Sequence, residues 1–344
     1  MVAVACAGRL CVKISGMEPI LKFWNLHTLC LWMGGGSMRF FAAACLAFGV
    51  MGAGQAVSQT DNPETADVKL TRVYVPGELI AYKMLGVNES PQRTRRYEAH
   101  ASGVVRRDDS GKFIEELGWS NLHVNDEAVA LSAASEQFKE TLSLDPSYKL
   151  SVPGLSKVQP ILIGPITDLL TFYADVQLAM RQSGLSHAGD HVYVKHGVPN
   201  SWADGTYTLL GQDSIDFDIT LVSVDPASHG ARLVVRHVPP AQPQIKLPAP
   251  WMVDPVGSSQ NNWVQVQKVA DGGYAAAVGQ ESFEADIKLS LPAGRIVSAT
   301  LDNPVDVVER ACDDAALTVC AAPTRYRIRR QITVEAEANP TGGK

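Results

Sequence analysis

Residues 95–107 read RRYEAHASGVVRR. Tyr97, Ala99, Ala101, Gly103 and Val105 fall on one phase of a two-residue repeat, and Arg96, Glu98, His100 and Arg106 on the other. That alternation predicts a long strand with one buried and one wet face, which suits an antiparallel sheet. The stretches on either side repeat it. ELIAYKMLGVN (78–88) and KFIEELGWSNLHV (112–124) read as two more strands, and DDSG (108–111) is a turn between the second and third. The chain is therefore expected to be mainly β. Long antiparallel strands should form one or two curved half-barrel sheets.

FKETLSL (138–144) reads as a further strand. A Pro/Gly-marked connection follows, and then one helix, expected at about 168–183. Thr167 is placed as its N-cap, Asp168 in its first turn and Gly184 at its end. Leu169, Phe172, Tyr173, Val176, Ala179 and Met180 recur at helical spacing, so an amphipathic helix should pack one apolar face on the sheet. IDFDITLVSVD (215–225) and ARLVVRHV (231–238) return to period two. Six prolines in 239–255 mark an extended connector. Two hairpins, with turns at DGG (271–273) and PAG (292–294), lead to a closing strand, TRYRIRRQITVEAE (324–337). In that strand Tyr326, Ile328, Ile332 and Val334 should face inward, with Arg330 breaking the row. The organisation reads as a first β unit at 70–165, the helix at 166–184, middle strands at 190–238, the connector at 239–255 and a C-terminal β unit at 256–338. A faint repeat links RYEA (96–99) to SFEA (282–285), each opening a long alternating strand. Whether the two β units make one domain or two stays open at this level.

Residues 38–58, MRFFAAACLAFGVMGAGQAVS, have a charged, apolar, small order. Arg39 supplies the positive charge, 40–51 the apolar run, and Ala56 with Ser58 a cleavage site. The run is too short for a stable membrane anchor. Met38 is the expected start, and residues 1–37 read as an upstream extension without a coherent pattern. Residues 59–69 are polar and expected to be a flexible N-terminus. Four of the six cysteines lie in or before the leader; Cys312 and Cys320 remain. An even pair in an exported chain points to a disulfide. The expected location is extracytoplasmic, periplasmic or secreted.

There are 30 Lys and Arg against 36 Asp and Glu, giving a net charge of −6. No basic surface calls for nucleic acid. After the leader no segment was read as long and apolar enough to cross a membrane, so no transmembrane anchor is expected in the mature chain. The strand order and composition resemble those of uncharacterised exported β-rich bacterial proteins and, in architecture, the periplasmic lipoprotein-carrier half-barrels. The latter resemblance implies a curved antiparallel sheet that wraps a helix and encloses an apolar cleft.

The densest chemistry is GLSHAGDHVYVKH (184–196). His187, Asp190 and His191 could hold a metal only if the loop folds back, because His191 and His196 lie on opposite faces of an alternating strand. The favoured reading is a turn followed by a strand, with no metal site. GLSHA (184–188) matches a nucleophile-elbow pattern, but helix precedes it and strand follows, the reverse of what an elbow needs. No H-E-x-x-H, C-x-x-C, P-loop or G-x-G-x-x-G pattern is present, so no cofactor is expected. Trp119, Trp202 and Trp263 are the candidate ligand-contacting aromatics. The function that follows is a non-catalytic binding or scaffolding role in the envelope, with an apolar ligand in a β cleft or an envelope protein as partner. An extracytoplasmic hydrolase and a subunit of an envelope complex are the alternatives.

Overall fold

The computed structural model describes residues 2–7, 10–15 and 67–337, apart from 152, 156–157, 197–201, 204–206, 212–214, 226, 239–244, 255–260 and 270–271. The leader at 38–58 and residues 59–66 lie outside the described residues. Two short strands, β1 (Val2–Ala7) and β2 (Leu10–Ser15), pair antiparallel in a small sheet of their own. Val2, Val4, Val12 and Ile14 are the β-branched residues of these strands.

The main sheet begins with β3 (Leu79–Ser90), β4 (Arg93–Arg107), β5 (Phe113–Val124) and the two-residue β6 (Glu127–Ala128). A short helix α1 (Ala133–Gln137) precedes β7 (Lys139–Leu142), and the long helix α2 spans Pro160–Met180. Then come β8 (His191–His196), β9 (Trp202–Ala203), β10 (Tyr207–Gly211), β11 (Ile215–Asp225) and β12 (Gly230–Val238). The chain ends with β13 (Asn261–Lys268), β14 (Tyr274–Glu281), β15 (Phe283–Ser290), β16 (Ile296–Cys312) and β17 (Thr324–Ala336). Fifteen of these strands form one antiparallel sheet that does not close. Its main path runs β7-β5-β4-β3-β17-β16-β15-β12-β11-β8. Helix α2 joins the two ends of that path, since it lies in sequence between β7 and β8.

A fork sits on β16. Residues 296–302 pair with β15, and 305–312 pair with β14, while β17 runs along the other side of both. The branch continues through β13 and β10 to β9. One 17-residue strand therefore carries both β units in a single sheet. Asn303-Pro304 falls in the middle of this strand. Pro304 cannot donate a ladder hydrogen bond, and it sits at the branch point, where the strand changes partners.

The inner face of the main path is apolar and its residues alternate as period two requires. Ile80, Tyr82 and Met84 of β3, Tyr97, Ala99 and Ala101 of β4, and Phe217, Ile219 and Leu221 of β11 share one core with α2. Two aromatic rings set local register by folding over cross-strand glycines. Tyr97 lies on Gly86 and Trp263 on Gly279; a Cβ at either glycine would come within 2.0 Å of the ring.

Helix α2 differs from the expectation in two ways. It starts eight residues before Asp168, with Pro160 at its N-terminus, and runs through Gly164 and Pro165 to Met180. Thr167 does not cap it; its hydroxyl donates to the Gly164 carbonyl at 3.0 Å. A proline in the second turn removes one helical hydrogen bond. Leu162, Ile166, Leu169, Phe172 and Val176 are fully buried, which is worth on the order of 10 kcal/mol in transfer free energy. Burial outweighs the break that Gly-Pro signals locally. Second, the helix is buried on all sides rather than on one face. Ile161–Met180 has the length and hydropathy of a membrane span, contrary to the sequence reading, but 89% of that window is enclosed by the protein. It is the core around which the sheet wraps.

Smaller features close the ends. Residues 67–76 run from Ser186, where the Val68 N–H is accepted at 2.9 Å, to Ala293, where the Val73 N–H is accepted at 3.0 Å. Gly294 adopts a positive φ of 67° directly against Thr71, where a Cβ would meet the carbonyl oxygen at 2.0 Å. Cys312 and Cys320 form the expected disulfide. Asp314 organises the loop between them, accepting the Thr318 and Val319 N–H groups at 2.8 Å each.

Candidate functional site around the central helix

A helix surrounded by sheet has no solvent face for its polar residues. Asp168, Thr171, Tyr173, Asp175 and Gln177 are nonetheless all buried. Each charged or phenolic one meets a polar residue that points inward from a strand.

Asp168 accepts a hydrogen bond from the Tyr97 hydroxyl at 2.7 Å and forms a close ion pair with Arg330. Tyr97 comes from β4 and Arg330 from β17, so one carboxylate ties the helix to two strands. Burial pushes the Arg330 guanidinium below its ordinary value and the Tyr97 phenol above its own. Arg330 belongs to the inward row of β17 with Ile328, Ile332 and Val334; it does not break that row.

Tyr173 donates to Glu115 and is also hydrogen-bonded to Tyr82 at 3.0 Å. The other oxygen of Glu115 accepts from Arg72 Nε at 3.1 Å. Arg72 also reaches Glu78 at 2.7 Å, and Arg295 holds the second oxygen of Glu78 at 3.0 Å. The network therefore runs from the helix through β5 to the strap at 67–76 and the turn after β15. Burial raises the Glu115 carboxyl, against the pull of the Arg72 charge. Burial would lower Arg72, but Glu115 and Glu78 together hold it above its usual value.

Asp175 accepts from His237 Nε2 at 3.3 Å. The imidazole is stacked on Phe283 at 3.8 Å between centroids and meets Phe217 edge-on at 4.6 Å. Gln177 Nε2 donates to the carbonyls of Ser143, Asp145 and Tyr148 at 2.8–3.1 Å, fixing the end of the helix to the chain after β7. The three acid-based contacts engage β3, β4, β5, β12 and β17. They fix both the rotation and the depth of α2, which apolar contacts alone would leave adjustable.

Three further buried carboxyls lie on the sheet itself: Glu140, Glu281 and Asp216, the last accepting from the Tyr193 hydroxyl at 2.5 Å. Glu140 of β7 accepts from the Trp119 indole N–H at 3.1 Å, and its Oε1 has no hydrogen-bond partner among the described residues. Burial pushes this carboxyl well above the usual range. Glu281, at the fork, is held near the Asn303 amide at 3.4 Å, and burial raises it to about 8.

The residues singled out in the sequence are placed as follows. Trp119 lies on the inner face in the main core, against Glu140. Trp263 is buried in a separate cluster with Val305, Val307 and Ile328, so the two indoles do not share a site. The side chain of Trp202 lies outside the described residues. His187 and Asp190 sit in one turn, with Asp190 Oδ2 accepting the His187 and Ser186 N–H groups at 2.6 and 2.7 Å. Those two backbone bonds hold the Asp190 carboxyl below its ordinary value. His191 points to the outer face, where it contacts Asp218 at 2.5 Å. Ser186, His187 and Asp190 therefore form a surface turn, not a cleft. Among the described residues no three His, Cys, Asp or Glu side chains are grouped to hold a metal ion. On the outer face of β17, Arg329 and Arg327 pair with Asp302 and Asp306 of β16.

Arg72, Glu115, Glu140, Asp175, His237 and Arg330 were not recognised as a set in the sequence. Four of them carried a signal there: a polar residue on the apolar phase of an alternating strand. Glu115 stands in phase with Leu117, Glu140 with Leu142, His237 with Leu233 and Val235, and Arg330 with Ile332. No protein-family model, no curated protein and no solved structure matches this chain.

Proposed function

We propose that the protein is an exported, non-catalytic binding protein of the bacterial envelope that holds an apolar ligand between its open sheet and its central helix. The observation that carries this reading is the arrangement of the interior. An unclosed antiparallel wall presents an apolar inner face, and a single helix, in sequence between the strands at the two ends of the path, packs against it. The acids on that helix, and Glu115 facing it, are engaged in positioning it. Export is supported by the charged, apolar, small order of residues 38–58 and by the Cys312–Cys320 disulfide, a bond suited to an oxidising compartment.

Native mass spectrometry of the protein purified from its own envelope tests the reading. A bound species of lipid mass, released by organic solvent, is the expected result. A mass equal to the polypeptide alone, together with no uptake of an apolar fluorescent probe, would remove the proposal.

A further inference from the structure

We propose that Glu140 is the polar anchor of the ligand site, donating a hydrogen bond from its neutral carboxyl to an acceptor oxygen, such as an ester carbonyl, on an otherwise apolar ligand. This inference rests on the binding role proposed above and names where and how the ligand is held.

The geometry begins on β7. Glu140 is paired across the ladder with Leu117 of β5 and points to the inner face with Leu142 and Leu144. The residue has no exposed surface. Its Oε2 accepts from Trp119, which orients the carboxyl plane; Oε1 is left without a partner among the described residues. A buried polar atom in that condition costs about 1–3 kcal/mol, so native interiors rarely retain one without a use. Asp168, Glu115 and Glu281 differ in this respect, because each has a cation, hydroxyl or amide partner. Asp175 has one orphan oxygen too, but its other oxygen holds His237 and through it the helix. Among the described residues Glu140 makes no contact of that kind with α2.

The protonation state fits the role. With Oε2 accepting from the indole, Oε1 carries the proton and becomes a donor. Burial favours that neutral form, the Trp119 hydrogen bond opposes it, and among the described residues no cation is paired with the carboxyl. A neutral acid recognises an acceptor oxygen without requiring a charge on the ligand. The apolar surroundings, Leu117, Leu142 and the Trp119 ring, suit the hydrocarbon that would carry that oxygen. Access is set by the fold. β7 has four residues and among the described residues is hydrogen-bonded to β5 alone, at one end of the unclosed path. An edge strand with one partner can separate from the wall without breaking a second ladder, while Gln177 keeps the residues that follow, Ser143 to Tyr148, on α2.

The test compares two ligands that differ only in the acceptor. N-phenyl-1-naphthylamine is bound to the purified protein and displaced with methyl palmitate or with octadecane, two saturated chains of equal length. The wild type should favour the ester about tenfold, the effect of one relieved buried donor. Glu140→Leu should bring the ratio to about 1; because it also takes the acceptor from the Trp119 indole N–H, its urea unfolding is measured alongside to show that it is folded. Glu140→Gln, whose amide still donates, should keep most of the preference. Equal displacement by ester and hydrocarbon in the wild type would overturn the anchor while leaving the binding role intact, and this comparison needs no variant. A preference retained in Glu140→Leu would also overturn it. Failure of both ligands and of the probe to bind would remove the binding role itself.

Discussion

Replacement of Glu281 by glutamine should stabilise the protein at pH 8 and leave it nearly unchanged at pH 5. Glu281 ends β14 at the point where β16 passes from β15 to β14, and only 4% of its surface is exposed. The Asn303 amide, which reaches the Glu281 carboxyl at 3.4 Å, also donates to the Ser282 carbonyl at 2.8 Å, so the acid lies inside the fork. Burial raises its pKa from 4.5 to about 8, with Asn303 opposing the shift. The sign follows from proton linkage. Below pH 4.5 the acid is protonated in both folded and unfolded chains and stability is unaffected. Above it the unfolded chain loses the proton while the folded one keeps it, so stability falls with rising pH until about 8.

The span between those values corresponds to about 5 kcal/mol at about 1.4 kcal/mol per pH unit, an upper bound because unfolded chains and local water penetration soften it. Glutamine keeps the shape and polarity of the neutral acid but does not titrate. The difference in urea unfolding free energy between Glu281→Gln and wild type should therefore rise by several kcal/mol from pH 5 to pH 8. Glu115 and Glu140 are also raised by burial, but they are present in both proteins and cancel in the comparison. A difference that stays flat across this range, or one favouring the wild type at pH 8, would refute the assignment of a buried neutral acid at the fork.

Arg330→Met should destabilise by about 3–5 kcal/mol, because it leaves the Asp168 carboxylate buried without its cation, and Asp168→Asn added to it should restore much of the loss; urea titration of the three variants checks the coupling. Reduction of Cys312–Cys320 should cost about 2–3 kcal/mol by the chain-entropy model, and thiol labelling of the folded protein should fail until reductant is added. N-terminal sequencing of exported protein should begin near Val57 to Thr60, and retention of residues before Met38 would contradict export from that start. Chelation should leave the melting temperature unchanged, since His191 and Asp190 are engaged separately, with Asp218 and with two backbone N–H groups; stoichiometric metal lost together with stability would contradict this.

The strands were legible because their partners do not need to be known. Tyr97, Ala99 and Ala101 alternate with wet residues whatever strand lies beside them, and the observed β4 extends only two residues before the stretch that announces it. The helix was legible in kind but not in extent or environment. Pro165 and Gly164 are local signals for a boundary, and the burial of Leu162 and Ile166 that overrides them depends on a sheet built from residues far along the chain. The fork on β16 was hidden for the same reason. Nothing local to Asn303-Pro304 says that β14 and β15 arrive from the same side of one strand. The polar contacts with α2 are a third case. Glu115, His237 and Arg330 each interrupt an apolar phase, which marks them as unusual, but their partners lie 58, 62 and 162 residues away.

That last pattern bears on why the interior is built this way. An apolar helix inside an apolar trough can rotate or slide at small cost, since one set of aliphatic contacts resembles the next. An acid displaced from its partner inside the protein leaves a buried charge, which is strongly unfavourable. Asp168 and Tyr173 reach alternate strands of one stretch of the wall, Asp168 meeting β4 and β17 and Tyr173 meeting β5 and β3, while Asp175 reaches β12. Contacts spread over five strands exclude a rotated helix as well as a shifted one. On the binding role proposed above, the same rigidity would limit where a ligand enters. The strands tied to the helix by these contacts stay with it. The short strand β7 meets none of the three acid contacts, and that is where Glu140 is found.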